Sequence, residues 1–144
     1  MDTVLTTRGL CFSYGTAAAV SGLDLTLHRR DIFGFVGPNG AGKTTTIKLL
    51  LGLLTPTAGA IAACGRSMRR DRPGVLRRVG ALVEAPSLYG HLTAEEKLRI
   101  QAIAHRVTAR RIAEVLDLVS LQQARGKKVR HFSLGMKQRL GVAM

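Results

Sequence analysis

Hydrophobic spacing along the chain divides it into strands first and helices later. Residues 4–14 read as an opening strand with partial alternation, and Val20, Leu23, Leu25 and Leu27, apolar at odd positions from Leu23 onward, predict a second strand. Residues 32–36 (Ile-Phe-Gly-Phe-Val) form a short, nearly continuous apolar run, the pattern of a strand buried on both faces. The spacing then changes to that of a helix from about Thr44 through Ile47, Leu50, Leu51 and Leu54, stopped by Thr55-Pro56-Thr57-Ala58-Gly59. Residues 60–64 predict another short strand, and residues 79–83 a buried one with Glu84 at its end. Thr93 followed by Glu96 has the spacing of a capping box and opens a helix. A further helix is expected from Thr108, with Ile112, Val115, Leu116 and Val119 on one face, and a last one headed by Ser133.

Composition adds little to that outline. The 144 residues are 46% hydrophobic and 22% charged, which is ordinary for a folded domain and excludes disorder. Cys11 and Cys64 make no disulfide framework and match no zinc spacing, so reduced thiols are expected. The start of the chain lacks the basic and apolar regions of a signal peptide, and its longest apolar run, residues 49–54, is far short of the roughly 20 residues that span a bilayer. The formal charge of +13 favours polyanions in general: nucleotides, nucleic acid or anionic lipid. Six arginines between Arg66 and Arg78 form an exposed basic loop and short helix, for which a solvated face is the simplest role.

Chemistry enters at residues 37–44. Gly37-Pro38-Asn39-Gly40-Ala41-Gly42-Lys43-Thr44 fits G-x-x-x-x-G-K-[ST], with an apolar strand pattern before it and a helix pattern after it. Glycines let main-chain N–H groups turn inward around phosphates without Cβ clashes, and the following helix aims its positive end at the same anion. Lys43 would reach the β- and γ-phosphates, Thr44 would place its hydroxyl on Mg²⁺, and Thr45 would bond an α-phosphate oxygen. A glycine-rich turn that binds nothing is the competing reading, and the flanking pattern disfavours it.

The wording GPNGAGKTTT, Tyr14 upstream and Phe132-Ser133-Leu134-Gly135-Met136-Lys137-Gln138-Arg139-Leu140 downstream together resemble the ATP-binding subunits of ABC transporters over nearly the whole chain. The last segment looks like a variant of the family signature LSGGQ, keeping Ser133 and Gly135 while Leu134 and Met136 replace the first glycine and the glutamine. The resemblance implies an α/β fold: a P-loop NTPase sheet with an N-terminal antiparallel β part and a helical subdomain, incomplete at the C-terminus. Residues 1–144 would be the N-terminal portion of one such domain, 1–84 the β-rich P-loop core and 85–144 the helical subdomain.

The resemblance also assigns roles. Tyr14 would stack on the adenine, although ordinary packing also suits a tyrosine closing a strand. Ser133 and Gly135 would face the γ-phosphate held by a second ATP-binding domain in a head-to-tail dimer, although Ser133 would equally cap a plain helix. Glu84 stands where the family usually has a glutamine that touches Mg²⁺ and the attacking water; a carboxylate can also hold Mg²⁺, and a surface carboxylate beside the basic loop is the alternative. Arg30 stands where glycine is common. Residues 79–84 with Pro86, Ser87 and Leu88 resemble the bacitracin-resistance and lantibiotic-immunity branch.

The family's catalytic aspartate–glutamate pair and switch histidine lie beyond the signature. Here the last acidic residue is Asp117 and the last histidine His131, both before Ser133. The chain is therefore expected to bind ATP and Mg²⁺ and to hydrolyse poorly or not at all. The leading expectation is a cytoplasmic ATP-binding subunit, peripheral on the inner membrane face through a permease, that powers export of a peptide or drug. A soluble ATPase acting on nucleic acid or ribosomes is the second reading, and its aromatic content of 4% is low for base stacking, so no nucleic acid is expected. An inactive nucleotide-binding module is the third.

Overall fold

The computed structural model describes residues 2–83 and 88–144. They form two compact units, Met1–Val83 and Glu84–Met144, each with its own core.

In the first unit, β1 (Thr3–Tyr14) and β2 (Ala17–His28) make a long antiparallel hairpin, and β1 also pairs antiparallel with β3 (Ala58–Ala63), which pairs with the short β4 (Arg66–Ser67). The strand order is β2-β1-β3-β4. Partial alternation in β1 has a structural cause: its register with β2 shifts at several points, so a strict period of two does not survive along it. Against this sheet packs the buried face of α1 (Lys43–Leu50), through Thr46 and Leu49. Leu49 joins Leu10, Val20, Ile61, Ala63, Met68 and Val75, the last from α2 (Arg72–Leu76), in one apolar cluster. Asp71 caps α2 by accepting a hydrogen bond from the Gly74 N–H at 3.0 Å. The Arg66 guanidinium, followed by that same N–H, holds the Asp71 carboxyl below its ordinary pKa.

Two expected strands are not formed. Residues 31–38 and 79–83 have no strand pairing, and Ile32 and Val36 are almost wholly exposed. The physical reason is pairing. A strand buried on both faces needs neighbours to take its N–H and C=O groups, and among the described residues no strand lies beside either segment. Arg30, just before the first of them, adopts φ 72°, a left-handed conformation that glycine takes without strain.

The second unit is helical: α3 (Ala94–His105), α4 (Ala109–Leu118) and α5 (Leu134–Ala143). Their inward residues Leu98, Ala102, Ile112, Leu116 and Leu140 share a core with Leu121, Val129 and Phe132 from the connecting segment. Leu116, Leu121 and Leu140 are essentially fully buried, and each such burial is worth about 2–3 kcal/mol. Arg139 on α5 donates to the Val119 and Ser120 carbonyls at the end of α4, at 3.3 and 3.2 Å, which ties the two helices together.

The capping box at α3 is complete. Thr93 Oγ1 accepts from the Glu96 N–H at 3.2 Å, and the Glu96 carboxylate accepts from the Thr93 N–H at 2.7 Å. The Thr93 backbone N–H, then its hydroxyl, lower the Glu96 pKa from the ordinary 4.5. Because the folded value lies below the unfolded one, this contribution is full above pH 4.5 and is lost as pH falls through the lowered value. Acid melting followed by circular dichroism should therefore show a steeper loss in the native chain than in Glu96→Gln, which keeps the cap without the titration. Parallel curves would contradict this.

Candidate functional site

The glycine-rich loop is exposed from Gly37 to Ala41 and closes into α1 at Gly42. A turn forms where the Ala41 N–H donates to the Pro38 carbonyl at 3.2 Å. Gly40 and Gly42 take φ 86° and 81°, the left-handed conformation open to glycine. Gly42 has a second constraint: a Cβ there would overlap the Ala19 carbonyl oxygen of β2. Gly37 has a different one, because its Cβ would point into the loop and meet the Ala41 Cβ at 3.3 Å. The interior of the loop is thus kept clear by the lack of a side chain at Gly37, and the end of the loop is seated on β2 by the lack of one at Gly42.

Lys43 opens α1 and bends back over the loop. Its Nζ donates to the Gly37 and Pro38 carbonyls, each at 2.6 Å. An ammonium is therefore held on the loop carbonyls, and the first N–H groups of α1, the helix that Lys43 opens, have no acceptor within the helix. No side chain caps this helix end, and no acidic residue lies in its first turn. The donor set of ammonium, main-chain amides and the exposed Thr44 hydroxyl suits an oxyanion, and Thr45 is half-buried in the next position.

Tyr14 ends β1 half-exposed, its ring edge-on to Phe12 with centroids 4.9 Å apart. In the second unit, Ser133 is the N-cap of α5, with Oγ accepting from the Met136 N–H at 3.3 Å. Gly135 faces open space, where a Cβ would meet nothing within 4 Å. Ser133, Leu134 and Gly135 are all exposed, so a large apolar residue and the serine-capped start of α5 share one surface. Glu84 and the following Ala85, Pro86 and Ser87 lie outside the described residues. Among the described residues no three or more His, Cys, Asp or Glu side chains gather into a metal-binding group, and no helix is long and apolar enough to cross a membrane.

Sequence reasoning missed two parts of the loop's support. One is the Ala19 carbonyl against Gly42; the other is the pair of carbonyls that hold Lys43. Both are main-chain contacts, for which residue type carries no signal.

Residues 20–144 match the family described as ABC transporter. The chain belongs to this family. It is 47% identical, over 99% of its length, to the bacitracin transport ATP-binding protein BcrA of Bacillus licheniformis, and covers 47% of that protein. It is 36% identical over 98% of its length to the lantibiotic transport ATP-binding protein SrtF of Streptococcus pyogenes, covering 60% of it. A solved structure described as the ATP binding subunit of an ABC transporter superimposes with a TM-score of 0.83 at 31% identity, across 97% of this chain and 60% of that one. The chain thus spans about half to three fifths of the ABC proteins it matches, and within that span it shares their fold.

Proposed function

We propose that this chain binds Mg-ATP at residues 37–45 and forms part of the ATP-binding subunit of an ABC exporter that acts on a peptide or drug. The observation that carries the reading is the Lys43 ammonium, folded onto the Gly37 and Pro38 carbonyls at the start of α1. Those carbonyls hold the charge in place until a stronger acceptor arrives. Phosphate oxygens would replace them, because a charge-assisted bond to an anion outcompetes one to a neutral carbonyl. Gly37 leaves the room, Gly40 and Gly42 set the curvature, and the α1 amides face the same anion. Pro38, Asn39 and Ala41 complete the wrap. Mg²⁺, held in this reading by the Thr44 hydroxyl, would neutralise phosphate charge, and Glu84, the second residue assigned to it from the sequence, lies outside the described residues. Tyr14 would support the adenine.

Similarity to BcrA and SrtF supports a peptide antibiotic as the exported class, a permease as partner and a cytoplasmic position against the membrane. The exposed Ser133 and Gly135 at the start of α5 would face ATP bound by a second such domain. Isothermal titration with Mg-ATP, and with Mg-AMP as the control that lacks β- and γ-phosphates, tests the reading. Equal affinity for the two nucleotides would overturn it. For the dimer, Ser133→Arg should leave ATP binding within about threefold of the native chain while removing ATP-dependent dimerisation in sedimentation velocity. Loss of both together would contradict the assignment of Ser133 to the partner's nucleotide.

A further inference from the structure

The first unit carries a groove that the nucleotide reading does not use. It measures about 1160 Å³ and lies between the end of α1, β3 and the segment that follows β4. Leu54 and Pro56, half-buried, with the exposed Ala58 and Ala60, give its accessible apolar surface, laid over the buried core residues Leu49, Ile61 and Met68. Arg69, Arg70 and Arg72 line its rim and are exposed. The Arg72 side chain lies against Gly52, where a Cβ would sit 3.0 Å from Nε, so this guanidinium is laid along the groove wall.

Charge in the groove is unbalanced. The carboxylate within this basic segment is Asp71, and it is engaged by Arg66 and by the Gly74 N–H. Arg69, Arg70 and Arg72 have no carboxylate partner among the described residues. One wall is also a sheet edge: β4 pairs with Ala62 and Ala63, so Ala58–Ala60 are exposed, and among the described residues no strand lies on their side away from β1.

We infer that this groove docks an extended acidic segment of a partner protein, with carboxylates on Arg69, Arg70 and Arg72 and intervening apolar side chains on the apolar surface of Leu54, Pro56 and Ala58. The observations favour this occupant over other polyanions. A membrane surface would meet the exposed arginines but has no strand to lay along the open edge at Ala58–Ala60. Single-stranded nucleic acid binds through stacking on aromatic rings, and no aromatic residue lines the groove. A peptide of alternating apolar and acidic residues matches apolar surface, rim and open edge together. The inference does not depend on nucleotide binding at residues 37–45.

Fluorescence anisotropy of the full chain with a short labelled peptide of alternating leucine and glutamate tests it. Saturable binding is expected, weakened about tenfold by the double variant Arg69→Glu/Arg70→Glu, since each reversal of an exposed charge is worth roughly a factor of three. Arg110→Glu on α4, away from the groove, should leave the affinity unchanged. Glutamine in place of glutamate should lose at least as much as the double variant. Circular dichroism of each variant should match the native chain, as all substituted side chains are exposed. Tighter capture by phosphatidylglycerol vesicles or a single-stranded oligonucleotide, with the same arginine dependence, would overturn the peptide assignment. So would peptide binding that is indifferent to Arg69 and Arg70.

Discussion

Lys43→Ala should weaken Mg-ATP binding by at least about 100-fold while leaving the melting curve of the chain nearly unchanged. The first half follows from the number of bonds lost. The Nζ group makes two short bonds to the Gly37 and Pro38 carbonyls, and on binding would exchange them for bonds to two phosphate groups. A hydrogen bond to a charged group contributes about 1.5–3 kcal/mol, and each 1.4 kcal/mol is a factor of ten, so losing two sets the expected scale. The second half follows from position: Lys43 is half-exposed at the first position of α1, and its removal empties no part of the apolar cluster built around Leu49. Lys43→Arg should recover little, because a planar fork does not fit a space held by a point charge against two carbonyls. The measurement is calorimetric titration beside thermal melting. Binding within threefold of native, or a loss matched by a collapse in stability, would remove Lys43 from the site.

The residues of this loop were legible in the sequence because their chemistry is local. Glycine at a left-handed turn, lysine at a helix start and threonine beside it stand within eight positions of one another, and a motif of that length carries its own geometry. The same holds for the Thr93–Glu96 cap and for Ser133 at the head of α5, where a side chain bonds an N–H three residues on. Residues 32–36 were not legible in the same way. Their composition states only that the segment would be buried if neighbours were present; whether a strand stands beside it is a property of distant chain. Ile32 and Val36 are therefore exposed in the structure despite being the most strand-like run in the sequence. The groove beside β3 was hidden for a related reason. Its arginines read as a solvated loop, and only the fold sets them around Ile61 and Met68. Tyr14 falls between these cases: its place at the end of β1, two residues after Phe12 on the same strand face, is local, but the edge-on angle of the two rings is set by packing.

Gly42→Ala should destabilise the first unit by about 3 kcal/mol or more, and by clearly more than Gly40→Ala. Both glycines have φ above 80°, so alanine at either position bears the left-handed penalty of about 1–2 kcal/mol. They differ in what a methyl group would meet. At Gly40 nothing lies within 4 Å, whereas at Gly42 the methyl would overlap the Ala19 carbonyl oxygen, a main-chain atom of β2. A side chain could rotate away; a strand carbonyl in a paired hairpin can yield only by shifting β2 or by lifting the loop off it. Either response costs on the order of a further 1–3 kcal/mol. The site would suffer with the fold, since Gly42 is the N-cap of α1 and its carbonyl accepts the Thr46 N–H at 2.8 Å. Lifting the loop displaces Lys43 and the α1 amides together, so Mg-ATP affinity should fall along with stability. Urea denaturation of the two variants, with nucleotide titration of each, separates backbone strain from steric overlap. Equal destabilisation at positions 40 and 42 would mean that β2 does not seat the loop and that the hairpin does not hold the proposed phosphate-binding segment in place.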